Sequence, residues 1–270
     1  MIQKTFVNDN NTAYTKKTYY MVLEPKDLPY NSQFIPLGTC VLNYTSRASG
    51  TITTSDNVKV KCKELQLFGQ CFGDFKLSAQ EPTTFLGVHL RPSAVFKIFG
   101  QSLEDVKEQS LLLASFKPEV YKELKSIFDG FTGDLKKFDA KLNEYFSQID
   151  RIPFRQNIDW IDESIQIIER EKGILQVKDL VKQLPFSQKS LELKFKEVVG
   201  VTPGQFIRKT RFLNFLNDYH TSGHTAKELI YHYQFYDRSH FSKEVKYFTG
   251  ESPSQYFSSQ FSELKKCINF

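Results

Sequence analysis

Two stretches of the chain carry long polar side chains at helical spacing. In the first, Gln188, Lys189, Glu192 and Lys196 fall on one side of a helical projection, and Leu191, Phe195 and Val198, at i, i+4 and i+7, fall on the other. In the second, Arg238, Ser239, Ser242, Lys243 and Lys246 oppose Phe241, Val245 and Phe248. A helix of this kind can lie in a major groove, because its apolar face packs on its own domain and leaves the polar face for nucleic acid. Lys and Arg suit guanine, Glu accepts from cytosine, and an apolar tip touches a thymine methyl group. Lys189, Glu192 and Leu193 are the candidate base-edge residues of the first stretch, and Arg238, Ser239, His240 and Lys243 those of the second. Gln188, Lys196 and Lys246, with Thr202 or Ser252 at helix starts, suit phosphate, and Ser242 completes the second polar face.

Each stretch needs a partner helix to hold it, and the sequence supplies one in both places. Val177 to Leu184 reads as a short helix ended by Pro185-Phe186, with Ser187 as N-cap of a helix over Gln188 to Val198 that Gly200 closes. Ala226 to Tyr233 is the second short helix, Gln234-Phe235-Tyr236 a turn, and Asp237 to Phe248 the second long one. The two units end alike, in GVTPGQF and GESPSQY, about 50 residues apart, which marks an internal repeat. Between them, Pro203 and Tyr219 bound a 17-residue helix, about 25 Å of rod. Upstream, Asp159 to Arg170 places Ile161, Ile165 and Ile168 on one face and stops at Gly173.

At these residues the chain resembles the AraC/XylS family of bacterial transcription regulators, whose C-terminal domain holds two helix-turn-helix units. The segment FYDRSHFSKEVKYFTGESPSQYF, from Phe235 to Phe257, is similar to that family's signature around its second unit. The likeness spans about 110 residues from Asp159 onward. It implies a sequence-specific, double-stranded DNA-binding regulator, an activator that works with RNA polymerase, reading two successive major grooves about 34 Å apart. Two departures stand out. Val181 and Ile230 replace a small residue in the helix before each recognition helix, and Gln234 replaces the turn glycine of the second unit. Glu192 and Glu244 place acid on or near the groove side.

The upstream half is built differently. Thr39 to Thr45, Val58 to Cys62, Glu64 to Phe68 and Thr84 to Leu90 are short, β-branched and aromatic segments separated by Gly, Pro, Asn and Asp, a strand pattern. Helical periods follow, over Ala94 to Phe99, Ser102 to Val106, Lys117 to Phe128 and Leu135 to Phe146. The polar stretch from Gln148 to Asn157, with Pro153, divides residues 1–150, a β-rich sensor domain with trailing helices, from residues 151–270, the DNA-binding domain. The fold class expected is α+β, and the first half faintly resembles the cupin-type sensor of many family members. Tyr44, His89 and Arg91 are candidates for lining a ligand cavity there, for an unknown small-molecule or protein effector. The stripe Leu135, Phe138, Leu142 and Phe146 suits either packing on a second copy, as a homodimer, or cover for the β-domain.

Composition narrows the classes. Of a net charge of +5, +4 falls in residues 151–270, so the excess sits where nucleic acid is expected. Cys40, Cys62, Cys71 and Cys267 form no CxxC or CxxxC pair, which disfavours zinc and a disulfide framework. His220 and His224 flank Ser222-Gly223, a turn rather than a ligating helix face. Phosphate-loop, nucleophile-elbow and zinc-protease motifs do not occur, so no cofactor, metal or catalytic role is expected. The rival reading is an N-terminal small-molecule or DNA-repair enzyme fused to an AraC-like module; the missing four-cysteine cluster argues against it. No apolar run reaches the roughly 18 residues a membrane helix needs, and MIQKTFVNDNN has no signal core, so a cytoplasmic protein with no membrane partner is expected.

Overall fold

Strand parity decides how the first half is assembled. In the computed structural model, which describes residues 1–8, 14–35, 37–47, 49–70, 73–106, 110–149 and 158–258, ten strands form two antiparallel sheets. The larger sheet joins β1 (Ile2–Val7), β2 (Thr15–Leu23), β4 (Cys40–Ser46), β7 (Leu65–Phe68), β9 (Thr83–Leu90) and β10 (Ser110–Leu112), in the order β1-β2-β9-β4-β7-β10. The smaller joins β3 (Tyr30–Phe34), β5 (Gly50–Thr54), β6 (Lys59–Lys61) and β8 (Phe75–Ala79), in the order β3-β8-β5-β6.

Successive side chains of a strand point to opposite faces, and the two faces of the larger sheet have different fates. Lys17, Tyr19 and Met21 of β2, Val41 and Asn43 of β4, and Phe85 and His89 of β9 look toward the smaller sheet and line a cavity of about 170 Å³. Cys40 and Leu42, with Leu86, Val88 and Leu90, look the other way, into a core shared with helices. Gly87 permits the cavity side to close up, since a Cβ there would lie 2.4 Å from the Tyr19 ring. Tyr19 in turn donates its hydroxyl to Asn43 Oδ1 at 2.7 Å.

That parity corrects one candidate ligand residue. Tyr44 has the even parity of Leu42, so it packs on Phe128, at 6.0 Å between ring centroids, and under the Lys125 ammonium rather than in the cavity. His89 does line the cavity. Arg91, one residue past β9, lines a second cleft between the halves of the chain, with Lys16, Glu169 and Lys209. Cys71 lies outside the described residues.

The helices of the first half follow their sequence periods. They are α1 (Ala94–Phe99), α2 (Leu113–Phe116), α3 (Pro118–Asp129) and α4 (Leu135–Ile149); Leu103–Val106 is a 3-10 turn rather than a full helix. Leu135, Phe138, Leu142 and Phe146 are buried against the β-domain together with Val120, Leu124 and Phe128 of α3. The α4 stripe therefore covers its own domain, and the reading of that stripe as a dimer surface is set aside. An amphipathic stripe reports that something covers it and not what.

Among the described residues of the second half every element is an α-helix: α5 (Asp159–Arg170), α6 (Val177–Val181), α7 (Gln188–Val199), α8 (Pro203–Thr221), α9 (Ala226–His232), α10 (Arg238–Thr249) and α11 (Pro253–Ser258). The expected division between residues 150 and 151 lies outside the described residues. No helix among the described residues is long and apolar enough to cross a membrane.

Candidate nucleic-acid interface

The two short-long helix pairs are set by local chemistry that the sequence spells out. Ser187 caps α7, accepting from the Ser190 amide at 3.2 Å, and Asp237 caps α10, accepting from the His240 amide at 2.6 Å. Each N-cap satisfies one of the free donors at a helix start. Both long helices end on a left-handed glycine, Gly200 at φ 85° and Gly250 at φ 74°, the conformation that glycine adopts without Cβ strain. Reciprocal capping boxes fix α8 through Thr202 and Gln205, and α9 through Thr225 and Glu228.

Each unit has its own core, and α8 carries both. Leu191, Phe195 and Val198 of α7 meet Ile161, Ile165 and Ile168 of α5, Leu180 of α6, and Phe206 and Ile207 from the first part of α8. Phe241, Val245 and Phe248 of α10 meet Leu229 of α9 and Phe212, Phe215 and Leu216 from the later part of α8. The shared helix has 19 residues, about 28 Å at 1.5 Å per residue.

With their apolar faces buried, the long helices show the expected polar faces. Gln188, Lys189 and Ser190 are exposed at the start of α7, Leu193 is 62% exposed, and Glu192 and Lys196 are half-buried. Gln188 donates to Glu192 across one turn at 2.8 Å. On α10, Arg238, Ser239, Lys243 and Lys246 are exposed, and His240 and Ser242 half-buried. His240 Nδ1 accepts from the Tyr236 amide at 3.3 Å, which orients the ring against the helix start.

Glu244 is the exception. Its place on or near the groove side was expected, yet the residue is 2% exposed and its Oε1 accepts from Arg208 Nε of α8 at 2.6 Å. Arg208 also lies over the Tyr247 ring, 4.2 Å from its centroid. The acid thus ties α10 to α8 and leaves no negative charge on the recognition face at that turn. Helical periodicity could not reveal this, because 36 residues separate the pair in sequence. The turn of the second unit keeps the shape that a glycine would favour. Gln234 sits at φ 52°, which costs a side-chain residue about 1 kcal/mol.

Two tyrosines missed from sequence also flank this unit. Tyr231, in α9, and Tyr236, just before the N-cap of α10, are 88% and 91% exposed. In the first unit the aromatic residue before the N-cap, Phe186, is instead stacked on Trp160 at 4.2 Å.

Comparison with known proteins agrees with this geometry. Residues 180–259 match the family model described as a helix-turn-helix domain. Over 82 residues the chain is 27% identical to the HTH-type transcriptional activator AarP of Providencia stuartii, a match covering 30% of this chain and 61% of that protein. The chain thus spans about three fifths of the length of that relative. Among solved structures, apo ToxT of Vibrio cholerae, in a lysine-to-alanine variant, superposes with a TM-score of 0.50 at 16% identity, covering 92% of this chain and 98% of that one. A further ToxT structure from Vibrio cholerae gives 0.49 at 14% identity, covering 94% and 96%. Residues 180–259 are a helix-turn-helix domain of the AraC type, joined in this chain to a β-rich N-terminal domain.

Proposed function

We propose that the chain is a transcription regulator that reads two successive major grooves of double-stranded DNA, with α7 in one and α10 in the next. The observation that carries this reading is the mounting of two exposed polar helix faces on a single rigid α8, each held by a separate apolar core. A rod of about 28 Å approaches the roughly 34 Å that separates successive grooves on one side of B-DNA. Lys189, Glu192 and Leu193 then face bases from α7, and Arg238, Ser239, His240 and Lys243 from α10. Gln188, Lys196, Ser242 and Lys246 hold the backbone. AarP is named as an activator, and activation through RNA polymerase, from a cytoplasmic location, is the direction this reading takes.

The N-terminal domain supplies the regulatory half. Its cavity is apolar on most sides, with Phe34, Ile52, Phe75 and Leu77 from the smaller sheet, and polar around His89, where Lys17, Thr39 and Asn43 gather. Thr39 Oγ1 and His89 Nδ1 are 2.9 Å apart. Burial, with the Lys17 and Lys16 charges, pushes the His89 pKa down to about 3, so the ring is neutral at physiological pH. A small, largely apolar effector fits that lining. Selection from a random duplex library at fixed salt tests the reading: a motif of two half-sites about 10 base pairs apart supports it, and an unstructured or single-site motif contradicts bipartite binding.

A further inference from the structure

The two recognition helices are gripped at their C-terminal ends by different parts of the N-terminal domain, and only one of those parts is a wall of the cavity. At the first unit, Gly200, the C-cap of α7, rests on Leu103 of the 3-10 turn, and a Cβ there would lie 3.0 Å from the Leu103 Cβ. Ser93 and Lys97, around the start of α1, bond Asp162 of α5, and Lys194 of α7 lies over the Phe96 ring. None of Ser93, Phe96, Lys97 and Leu103 lines the cavity.

At the second unit the grip comes from the end of β3 and the start of β8. Gln33 Nε2 donates to the carbonyl of Thr249, in the last turn of α10, at 2.9 Å and to Asp74 Oδ2 at 2.6 Å. Asp74 backs onto Gly250, the C-cap of α10, so closely that a Cβ on the glycine would lie 2.9 Å from its Oδ1. Ile35 joins the core of that unit with Phe212 and Phe215. The neighbours of these gripping residues face inward: Phe34 and Phe75 are paired across the sheet, stacked at 5.4 Å between centroids, and line the cavity, as Ile35 and Leu37 do. One short stretch of sheet therefore has the cavity on one side and the end of a recognition helix on the other. The exposed face of α10 is left open, so the contact positions the helix and does not cover it.

We propose that Gln33 and Asp74 are positioning residues for the second recognition helix, and that through them the contents of the cavity set the orientation of α10 relative to α7, and so the half-site spacing that is read. The inference rests on the two-groove reading above. Because α8 fixes the distance between the units and the first grip stands apart from the cavity, a shift of the Phe34 and Phe75 wall turns one helix and leaves the other. Filling the cavity and loosening the grip should then act on the same property.

The test uses the full chain and duplexes carrying its two selected half-sites at the selected spacing, or moved by two base pairs, which turns one site by about 70° around the axis. A duplex with only the α7 half-site serves as control. Wild-type protein is expected to prefer the selected spacing by about tenfold, and Q33A and D74A to narrow that preference to about threefold or less, with the control affinity unchanged. I52F, which adds bulk inside the cavity away from the grip, is expected to narrow or shift the same preference, with thermal melting confirming that it folds. Wild-type spacing preference retained in both Q33A and D74A overturns the proposal, and loss in those two with I52F unchanged overturns the link to the cavity. Wild-type protein that prefers no spacing overturns the two-groove reading, and the inference with it.

Discussion

The two helix-turn-helix units share a plan and differ in how each is anchored. Around α7 the contacts are apolar, with Phe186 stacked on Trp160 and Gly200 resting on Leu103, while the polar bonds of Ser93 and Lys97 go to Asp162 of α5 and not to the recognition helix. At α10 the helix itself is held by polar bonds, Glu244 to Arg208 and Gln33 to Thr249, beside the apolar contact of Ile35 with the core of the unit. Its aromatic flank, Tyr231 and Tyr236, is left in solvent. Apolar anchoring is insensitive to small rotations, whereas hydrogen bonds lose strength steeply as their angle departs from straight. The second unit is accordingly the one whose pose can be tuned, and the first the fixed reference.

Substitutions can break that contrast. The largest effect is expected at Glu244: E244A removes the buried partner of Arg208 and should cost about 3 kcal/mol in urea unfolding, whereas E192A, on the open face of α7, should stay within about 0.5 kcal/mol. Equal losses at the two glutamates would erase the distinction. Next, R238A and K189A should each weaken specific DNA binding by about 1–3 kcal/mol and relax base preference in a different half-site. Then Q234G should stabilise the protein by about 1 kcal/mol, by relieving the positive φ; the described turn residues of the first unit include no positive φ to relieve. Replacing the caps, S187A and D237A, should cost about 1 kcal/mol each, so a clear difference between them would show that tertiary anchoring, not capping, dominates one unit.

Acid titration separates the β-domain from both units. His89 is held neutral down to about pH 3 in the folded chain, while an unfolded histidine protonates near 6.5. The unfolded state therefore binds the extra proton first, and stability falls as pH drops from about 6.5 toward 3. H89N should flatten that slope in thermal melts across the same range.

The DNA-binding half was largely legible because its signals are local. Caps at Ser187, Thr202, Thr225 and Asp237, glycines at 200 and 250, and apolar spacing at Leu191, Phe195, Phe241 and Val245 all act within a few residues. The β-domain was legible only as strands. Its β4, β6, β7 and β9 stood out, but β1, β2, β3, β5, β8 and β10 did not; β3, for one, pairs with β8, which is distant in sequence. The face of Tyr44 follows from counting alternate residues from a buried neighbour such as Leu42, a step that needs the sheet order first. The roles of Arg208, Glu244, Gln33 and Asp74 are long-range contacts and leave no periodic trace.

In the proposed two-groove reading each recognition helix takes its own half of one operator. The most direct test repeats the random-duplex selection, at one salt concentration, with R238A and K189A beside the wild type. Two half-sites about 10 base pairs apart are expected, with each substitution relaxing a different one. Relaxation of the same half by both, or of neither, would contradict it.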